Sequence, residues 1–119
     1  MRRLLVVDDE QDILDFVERV FRREYVVERA GSVEDALAIL ERRAVDVLIT
    51  DQRMPRRSGF ELLDRAAVLQ PAAVRVLLSG YADGDAAPEH ADAQVIKPVD
   101  GETLRQTVAQ AISRRVSPA

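Results

Sequence analysis

Short segments that are apolar at almost every position alternate with segments of helical period along the chain. Residues 4–7, 45–49 and 74–78 form three such apolar runs, and each is followed at once by a polar residue. Strands of this composition are buried on both faces, as in a parallel sheet that is covered by helices. Because strand and helix take turns five times, the sequence predicts a doubly wound α/β fold with a five-stranded sheet and helices on both sides.

The remaining elements have weaker patterns but complete the alternation. Residues 25–27 and 95–96 are short strand candidates. Ser32 is a predicted N-cap, with Asp35 as its capping-box partner. Apolar residues at helical spacing predict helices around Ile13, Val17, Val20 and Phe21, around Val33, Ala36, Leu37 and Leu40, around Leu62, Leu63 and Ala66, and around Leu104, Val108, Ala111 and Ile112. We therefore predict one domain at residues 1–115, followed by a C-terminal tail at 116–119.

The composition argues against several classes of function. The 119 residues carry a formal charge of −4, whereas a protein that binds nucleic acid directly needs a basic face. Cysteine is absent, which excludes disulfides and thiolate metal sites. The longest apolar stretches are far shorter than the roughly 20 residues of a membrane span. We therefore expect a cytoplasmic protein that contacts neither membranes nor, directly, nucleic acid.

Polar residues that could take part in chemistry follow four of the five predicted strands. Asp8 and Asp9 follow the first strand, Asp51 the third, Ser79 the fourth and Lys97 the fifth. In open parallel sheets, ligands bind at the carboxyl ends of the strands, near the point where the strand order reverses. We therefore expect these five side chains to meet at one edge of the sheet.

The chemistry of these five residues points to phosphoryl transfer. Carboxylates at close range repel one another, and a hard divalent cation such as Mg²⁺ relieves the repulsion through oxygen ligands. Lys97 can pair with a phosphate oxygen or with Asp51, and the hydroxyl of Ser79 can donate to another phosphate oxygen. A carboxylate surrounded by a metal, an ammonium group and a hydroxyl is suited to attack phosphorus, so Asp51 is the predicted nucleophile.

Each feature taken alone also has a purely structural interpretation. Acidic residues after a strand favour a helix N-terminus, Asp51 could be a turn residue, and Ser79 with Gly80 could form a simple loop. The functional interpretation depends on the joint pattern, because chance rarely places the right chemistry at four strand ends.

Four short motifs occur together in the chain. They are Val-Asp-Asp-Glu at residues 7–10, Asp51 followed by Met54, Pro55 and Gly59, Ser-Gly at 79–80 and Lys-Pro at 97–98. Together they resemble the receiver domain of two-component response regulators, in the superfamily of the chemotaxis regulators. The resemblance covers nearly the whole chain and implies a flavodoxin-like sheet with the strand order 2-1-3-4-5.

The resemblance also implies a role for each acidic residue of the site. Asp51 would be the phosphoacceptor, phosphorylated by the phosphohistidine of a sensor histidine kinase or by a small phosphodonor. Asp9 and Asp51 would bind Mg²⁺ directly, the backbone carbonyl of Arg53 would be a further ligand, and Asp8 would act through water.

Ser79 and Lys97 would hold the phosphoryl oxygens, and in this family the peptide bond from Lys97 to Pro98 is commonly cis. Phosphorylation would then switch interactions with an unknown downstream protein or a fused output domain. Whether the domain also forms a weak homodimer is left open.

More narrowly, residues 51–55 and 77–83 look like the corresponding segments of receivers that precede HD-type phosphodiesterase or AAA-type output domains. Such a domain is not a turnover enzyme and catalyses only its own phosphorylation and dephosphorylation.

Two other functions stay open. The first is a Mg²⁺-dependent phosphohydrolase with an aspartyl intermediate, but such enzymes usually carry a second carboxylate two residues after the nucleophile, where this chain has Arg53. The second is a protein-interaction receiver with weakened phospho-switching.

The chain departs from the family pattern between Ser79 and Lys97. This interval is shorter than usual, and Pro88 is tolerated only near a helix start. We therefore predict that the helix between the fourth and fifth strands is shortened, displaced or replaced by a loop. Gln94 stands three positions before the lysine, where the family usually has an aromatic or other switch residue. We expect phosphorylation chemistry to persist, with transmission through the usual output face in doubt.

Overall fold

The computed structural model describes residues 2–80 and 89–116, and structural statements below refer to this part of the chain. It contains a five-stranded parallel sheet with the order β2-β1-β3-β4-β5, which confirms the predicted fold class. The strands are β1 (Arg2–Val7), β2 (Tyr25–Ala30), β3 (Val47–Asp51), β4 (Val74–Ser79) and β5 (Ala93–Ile96). The helices are α1 (Gln11–Phe21), α2 (Val33–Arg42), α3 (Gly59–Leu69) and α4 (Gly101–Val116).

Two hydrophobic cores lie on opposite faces of this sheet. Successive strand residues point to opposite faces, so β1, β3 and β4 contribute alternately to both cores. One core joins α1 and α4 to the sheet through residues such as Leu4, Val6, Ile49, Val76, Val17, Phe21, Leu104 and Val108. The other joins α2 and α3 to it through residues such as Leu5, Val7, Leu48, Leu77, Ala36, Leu37, Leu62 and Leu63. Burial on both faces explains why the central parts of these strands are apolar at almost every position.

The third strand is shifted by two residues from its predicted position at 45–49. Val45 leaves the ladder because its backbone N–H donates to the side-chain oxygen of Gln70 at 2.8 Å. The carboxylate of Asp46 accepts a hydrogen bond from the backbone N–H of Arg3, also at 2.8 Å. The strand then continues to Asp51, which places this carboxylate at the last position of a central strand.

Helix starts agree better with the sequence-based expectations. The hydroxyl of Ser32 accepts from the backbone N–H of Asp35 at 3.1 Å, which confirms the predicted N-cap of α2. Ser58 caps α3 in the same way, accepting from Glu61 N at 3.3 Å. Helix α4 ends at Val116, one residue beyond the predicted domain boundary, and residues 117–119 lie outside the described part.

The predicted irregularity of the helix between the fourth and fifth strands falls mostly on residues 81–88, which lie outside the described residues. That prediction therefore stays a prediction. Within the residues that the structure describes, no helix is both long and apolar enough to cross a membrane.

Candidate metal and phosphoacceptor site

Three carboxylates come together at the carboxyl ends of the two neighbouring central strands. Asp8 and Asp9 follow β1, and Asp51 ends β3. Each offers one oxygen, and these oxygens all lie within 4.8 Å of one another. Asp8 is fully buried and Asp51 nearly so, whereas Asp9 is exposed. Of the three carboxylates, that of Asp9 is therefore the most accessible to solvent.

The buried carboxylate of Asp8 is only half satisfied. Its Oδ1 accepts from the backbone N–H of Glu10 at 2.9 Å, while its Oδ2 has no hydrogen-bond partner among the described residues. The ammonium of Lys97 lies 3.8 Å from this oxygen. Burial raises the pKa of Asp8 to about 6, the charges of Asp51 and Asp9 add to the effect, and the Glu10 hydrogen bond opposes it.

This arrangement fits a hard divalent cation. A buried carboxylate oxygen without a partner is costly, and a cation beside it removes that cost. The three candidate ligand atoms are all carboxylate oxygens, and Mg²⁺ prefers oxygen ligands to softer nitrogen or sulfur ligands. The residues present are therefore compatible with the predicted Mg²⁺.

Lys97 connects the fifth strand to the acidic cluster. Its Nζ lies 2.8 Å from Asp51 Oδ1. Burial acts to lower the pKa of Lys97, but the hydrogen bond to Asp51 and the charges of Asp51 and Asp8 outweigh it, so the pKa is raised and the ammonium stays charged. The backbone N–H of Lys97 donates to Ser79 O at 2.8 Å, and the peptide bond to Pro98 is cis, as the resemblance implies.

Ser79 ends β4, one strand away from Asp51, and is almost fully buried. Its hydroxyl oxygen accepts a hydrogen bond from Nε2 of Gln94 at 2.8 Å. Sequence reasoning identified Gln94 as a departure from the family pattern but did not find this contact. The signal for this contact in the sequence was a long polar side chain directly before the apolar Val95, which the structure shows to be buried in β5.

The loop after Asp51 packs closely against the strand end. The backbone N–H of Gln52 donates to Leu78 O at 3.1 Å, and its side-chain oxygen accepts from Phe60 N at 3.0 Å. Gly59 N donates to Gln52 O at 2.9 Å. Arg53 lies exposed in this loop, two residues after Asp51, and the role of its carbonyl as a ligand stays a prediction.

Gly59→Ala is expected to lower the free energy of unfolding by roughly 1–3 kcal/mol, because the new Cβ would overlap the backbone carbonyl of Asp51. Urea titration measures the change. Gly31→Ala is the matched control, since a Cβ at Gly31 meets no atom of the described residues within 4 Å. Equal stabilities of the two variants would contradict the close approach at Gly59.

Comparison with known proteins decides the family. The sequence profile described as the response regulator receiver domain matches residues 4–109. The chain belongs to the response regulator receiver domain family. Among solved structures, this receiver resembles a response regulator receiver domain protein from Clostridium thermocellum, with a TM-score of 0.87, 30% identity and 98% of both chains covered. A CheY-like receiver domain protein from Methanospirillum hungatei gives a TM-score of 0.86 at 27% identity, with 98% of this chain and 97% of the other covered.

Curated relatives of the receiver are longer proteins. The hydrogenase transcriptional regulatory protein HoxA of Bradyrhizobium diazoefficiens is 35% identical over 114 residues, which are 92% of this chain and 24% of HoxA. The response regulator protein PilR of Pseudomonas aeruginosa is 32% identical over 119 residues, 96% of this chain and 27% of PilR. The chain therefore spans about a quarter of the length of these relatives.

Family membership gives the coarse function. The chain is a receiver domain of two-component signal transduction and phosphorelay, a class of signalling domains that is generally not enzymatic. The predicted family and fold are confirmed. The structure brings Asp8, Asp9, Asp51 and Lys97 into one cluster with Ser79 on the adjacent strand, while the role of each residue stays a prediction.

Proposed function

We propose that this receiver accepts a phosphoryl group on Asp51, delivered in the cytoplasm by the phosphohistidine of a sensor histidine kinase. A carboxylate oxygen of Asp51 forms a bond to phosphorus while the bond from phosphorus to the histidine nitrogen breaks, and that nitrogen keeps the electron pair. The product is an aspartyl phosphate. The observation that carries this proposal is the nearly buried Asp51 carboxylate, held by Lys97 at 2.8 Å within the cluster of three carboxylates.

Mg²⁺ would be held by Asp9 and Asp51, with the carbonyl of Arg53 as a further ligand and Asp8 acting through water. When bound, it supplies positive charge that offsets the repulsion between the carboxylates and an anionic phosphodonor. The Oδ2 of Asp8 supports this assignment, because it is buried without a hydrogen-bond partner among the described residues, and the Lys97 ammonium lies 3.8 Å from it.

Lys97 and Ser79 would bind the phosphoryl oxygens through hydrogen bonds. The Lys97 ammonium pairs with Asp51 in the unphosphorylated protein, and it can move its hydrogen bond to a phosphoryl oxygen once the group is attached. The hydroxyl of Ser79 donates to another of these oxygens. Both contacts exist only with the phosphoryl group in place, so phosphorylation changes the charge and hydrogen bonding at the ends of β4 and β5.

The surface beside the acceptor is suited to a protein donor. A mostly apolar groove of about 430 Å³ is lined by Ile13, Phe16, Leu78, Lys97, Pro98 and Val99. Lys97 borders this groove and also contacts Asp51, so a kinase domain that presents its phosphohistidine to Asp51 would cover the groove. Phosphorylation would then alter contacts with a downstream protein or a fused output domain.

Incubation with acetyl phosphate should add one phosphoryl group to the protein when Mg²⁺ is present and none when a chelator replaces it. Intact-mass spectrometry measures both. The same protein should not turn over simple phosphate esters, whose leaving groups are far less reactive than that of acetyl phosphate. Many turnovers of such an ester would favour the phosphohydrolase, and no incorporation with Mg²⁺ would favour the interaction receiver.

A further inference from the structure

Gln94 lies on β5 where its side chain can reach the buried hydroxyl of Ser79. The parallel pairing of β4 with β5 places Gln94 opposite Leu77 and Ile96 opposite Ser79. Gln94 and Ser79 therefore lie on the same face of the sheet, offset by two residues along the strands. The glutamine side chain spans this offset, and its Nε2 donates to Ser79 Oγ at 2.8 Å.

The backbone is fixed on both sides of this contact. Before β5, Asp92 N donates to Arg75 O at 2.7 Å and Arg75 N donates to Asp92 Oδ2 at 2.7 Å. After β5, Lys97 N donates to Ser79 O at 2.8 Å. Rotation about the side-chain bond of Ser79, with its three staggered wells, is therefore the main freedom that remains to the hydroxyl.

We infer that Gln94 is a positioning residue that holds the Ser79 hydroxyl in the orientation that receives the phosphoryl group. The inference rests on the proposed function of Asp51. A serine hydroxyl has one hydrogen and two acceptor lone pairs. The Gln94 amide occupies a lone pair, so the hydroxyl hydrogen stays available to a phosphoryl oxygen.

The same geometry makes Gln94 sensitive to phosphorylation. When Ser79 donates to a phosphoryl oxygen, its own oxygen becomes a better acceptor, because hydrogen bonds in a chain polarise one another. The bond from Gln94 is therefore stronger in the phosphorylated protein, and by reciprocity Gln94 favours that state. Gln94 thus couples the acceptor site to β5 through a hydrogen bond instead of the rotation of an aromatic ring.

Three substitutions separate the hydrogen bond from simple packing. Gln94→Met keeps the length and approximate volume of the side chain but removes the donor. Gln94→Glu keeps the shape and replaces the donor by an acceptor, which would take the Ser79 hydrogen and add negative charge near the phosphoryl group. Ser79→Ala removes the partner, and urea titration of each variant verifies that it is folded.

The initial rate of phosphoryl incorporation from acetyl phosphate with Mg²⁺, followed by intact mass, should fall about threefold to tenfold in Gln94→Met. Gln94→Glu should be slower still. The double variant with Ser79→Ala and Gln94→Met should be as slow as Ser79→Ala alone, because the Gln94 amide has no hydroxyl to position once Ser79 is replaced. In NMR spectra, the side-chain amide signal of Gln94 should shift on phosphorylation of the wild type and much less in Ser79→Ala.

The inference would be overturned if Gln94→Met were phosphorylated at the wild-type rate. It would also be overturned if Gln94→Met slowed the Ser79→Ala protein by the same factor as it slows the wild type. A wild-type rate in Gln94→Glu would show that the amide does not act as a donor. These outcomes leave the proposed function intact, because the wild type is still phosphorylated. A wild type that gains no phosphoryl group removes the proposed function and this inference with it.

Discussion

Asp51→Asn is expected to gain no phosphoryl group from acetyl phosphate and Mg²⁺ under conditions in which the wild type gains one. The amide is nearly the same shape as the carboxylate but is a far weaker nucleophile toward phosphorus. Loss of a nucleophile typically slows a group transfer by roughly a thousandfold or more. The fold should persist, because the amide oxygen can still accept from Lys97, which lies 2.8 Å from Asp51 Oδ1.

Asp46→Asn is the matched control for this experiment. Asp46 lies just before β3, whereas Asp51 ends the strand, so the same chemical change is made at the opposite end of β3. Its oxygen accepts from Arg3 N at 2.8 Å, and an asparagine oxygen keeps that bond. Asp46→Asn should therefore gain the phosphoryl group at the wild-type rate. Equal incorporation by Asp51→Asn and the wild type would show that another residue is the acceptor.

The sequence predicted the sheet and the acidic cluster because both follow from repeated, local patterns. Strands that are buried on both faces are apolar at almost every position, so the polar residues at their carboxyl ends stand out in the sequence. A parallel sheet then brings Asp8, Asp51 and Lys97 to one edge, whatever the details of the loops.

The contact between Gln94 and Ser79 could not be predicted in the same way. It depends on the register of β4 against β5 and on the rotamer of a long side chain, and neither is written in a local pattern. The start of β3 was missed for a related reason. Val45 is apolar and buried like a strand residue, but its backbone N–H is bound by the side chain of Gln70, which lies 25 residues away in the sequence.

Asp8→Asn is expected to raise the free energy of unfolding of the metal-free protein by about 1–3 kcal/mol at pH 7.5 or so. The pKa of Asp8 rises from 3.8 to about 6 on folding, first of all because the carboxyl is buried. A shift of about two units corresponds to about 3 kcal/mol, which sets the upper end of this range. The asparagine is uncharged, so it avoids the cost of burying a carboxylate whose Oδ2 has no hydrogen-bond partner among the described residues.

The pH dependence of this gain separates ionisation from packing. Between about pH 4 and pH 6 the folded protein holds a proton on Asp8 that the unfolded chain has released, so wild-type stability falls as the pH rises through this window. The advantage of Asp8→Asn should therefore be near zero at pH 4 and complete above about pH 6.5. Urea titrations of both proteins in a chelating buffer measure it, and an advantage that is constant across this range would contradict the assigned cause.

Addition of Mg²⁺ should reduce the advantage of Asp8→Asn or reverse it. A ligand that binds only the folded state stabilises it by about 2.7 kcal/mol at a hundred times its dissociation constant. The wild type should gain this stabilisation in full, whereas the variant has lost one negative charge of the cluster and should gain less. If Mg²⁺ stabilised both proteins equally, Asp8 would have no part in the metal site. The unsatisfied oxygen of Asp8 would then lower stability without a compensating contribution to metal binding.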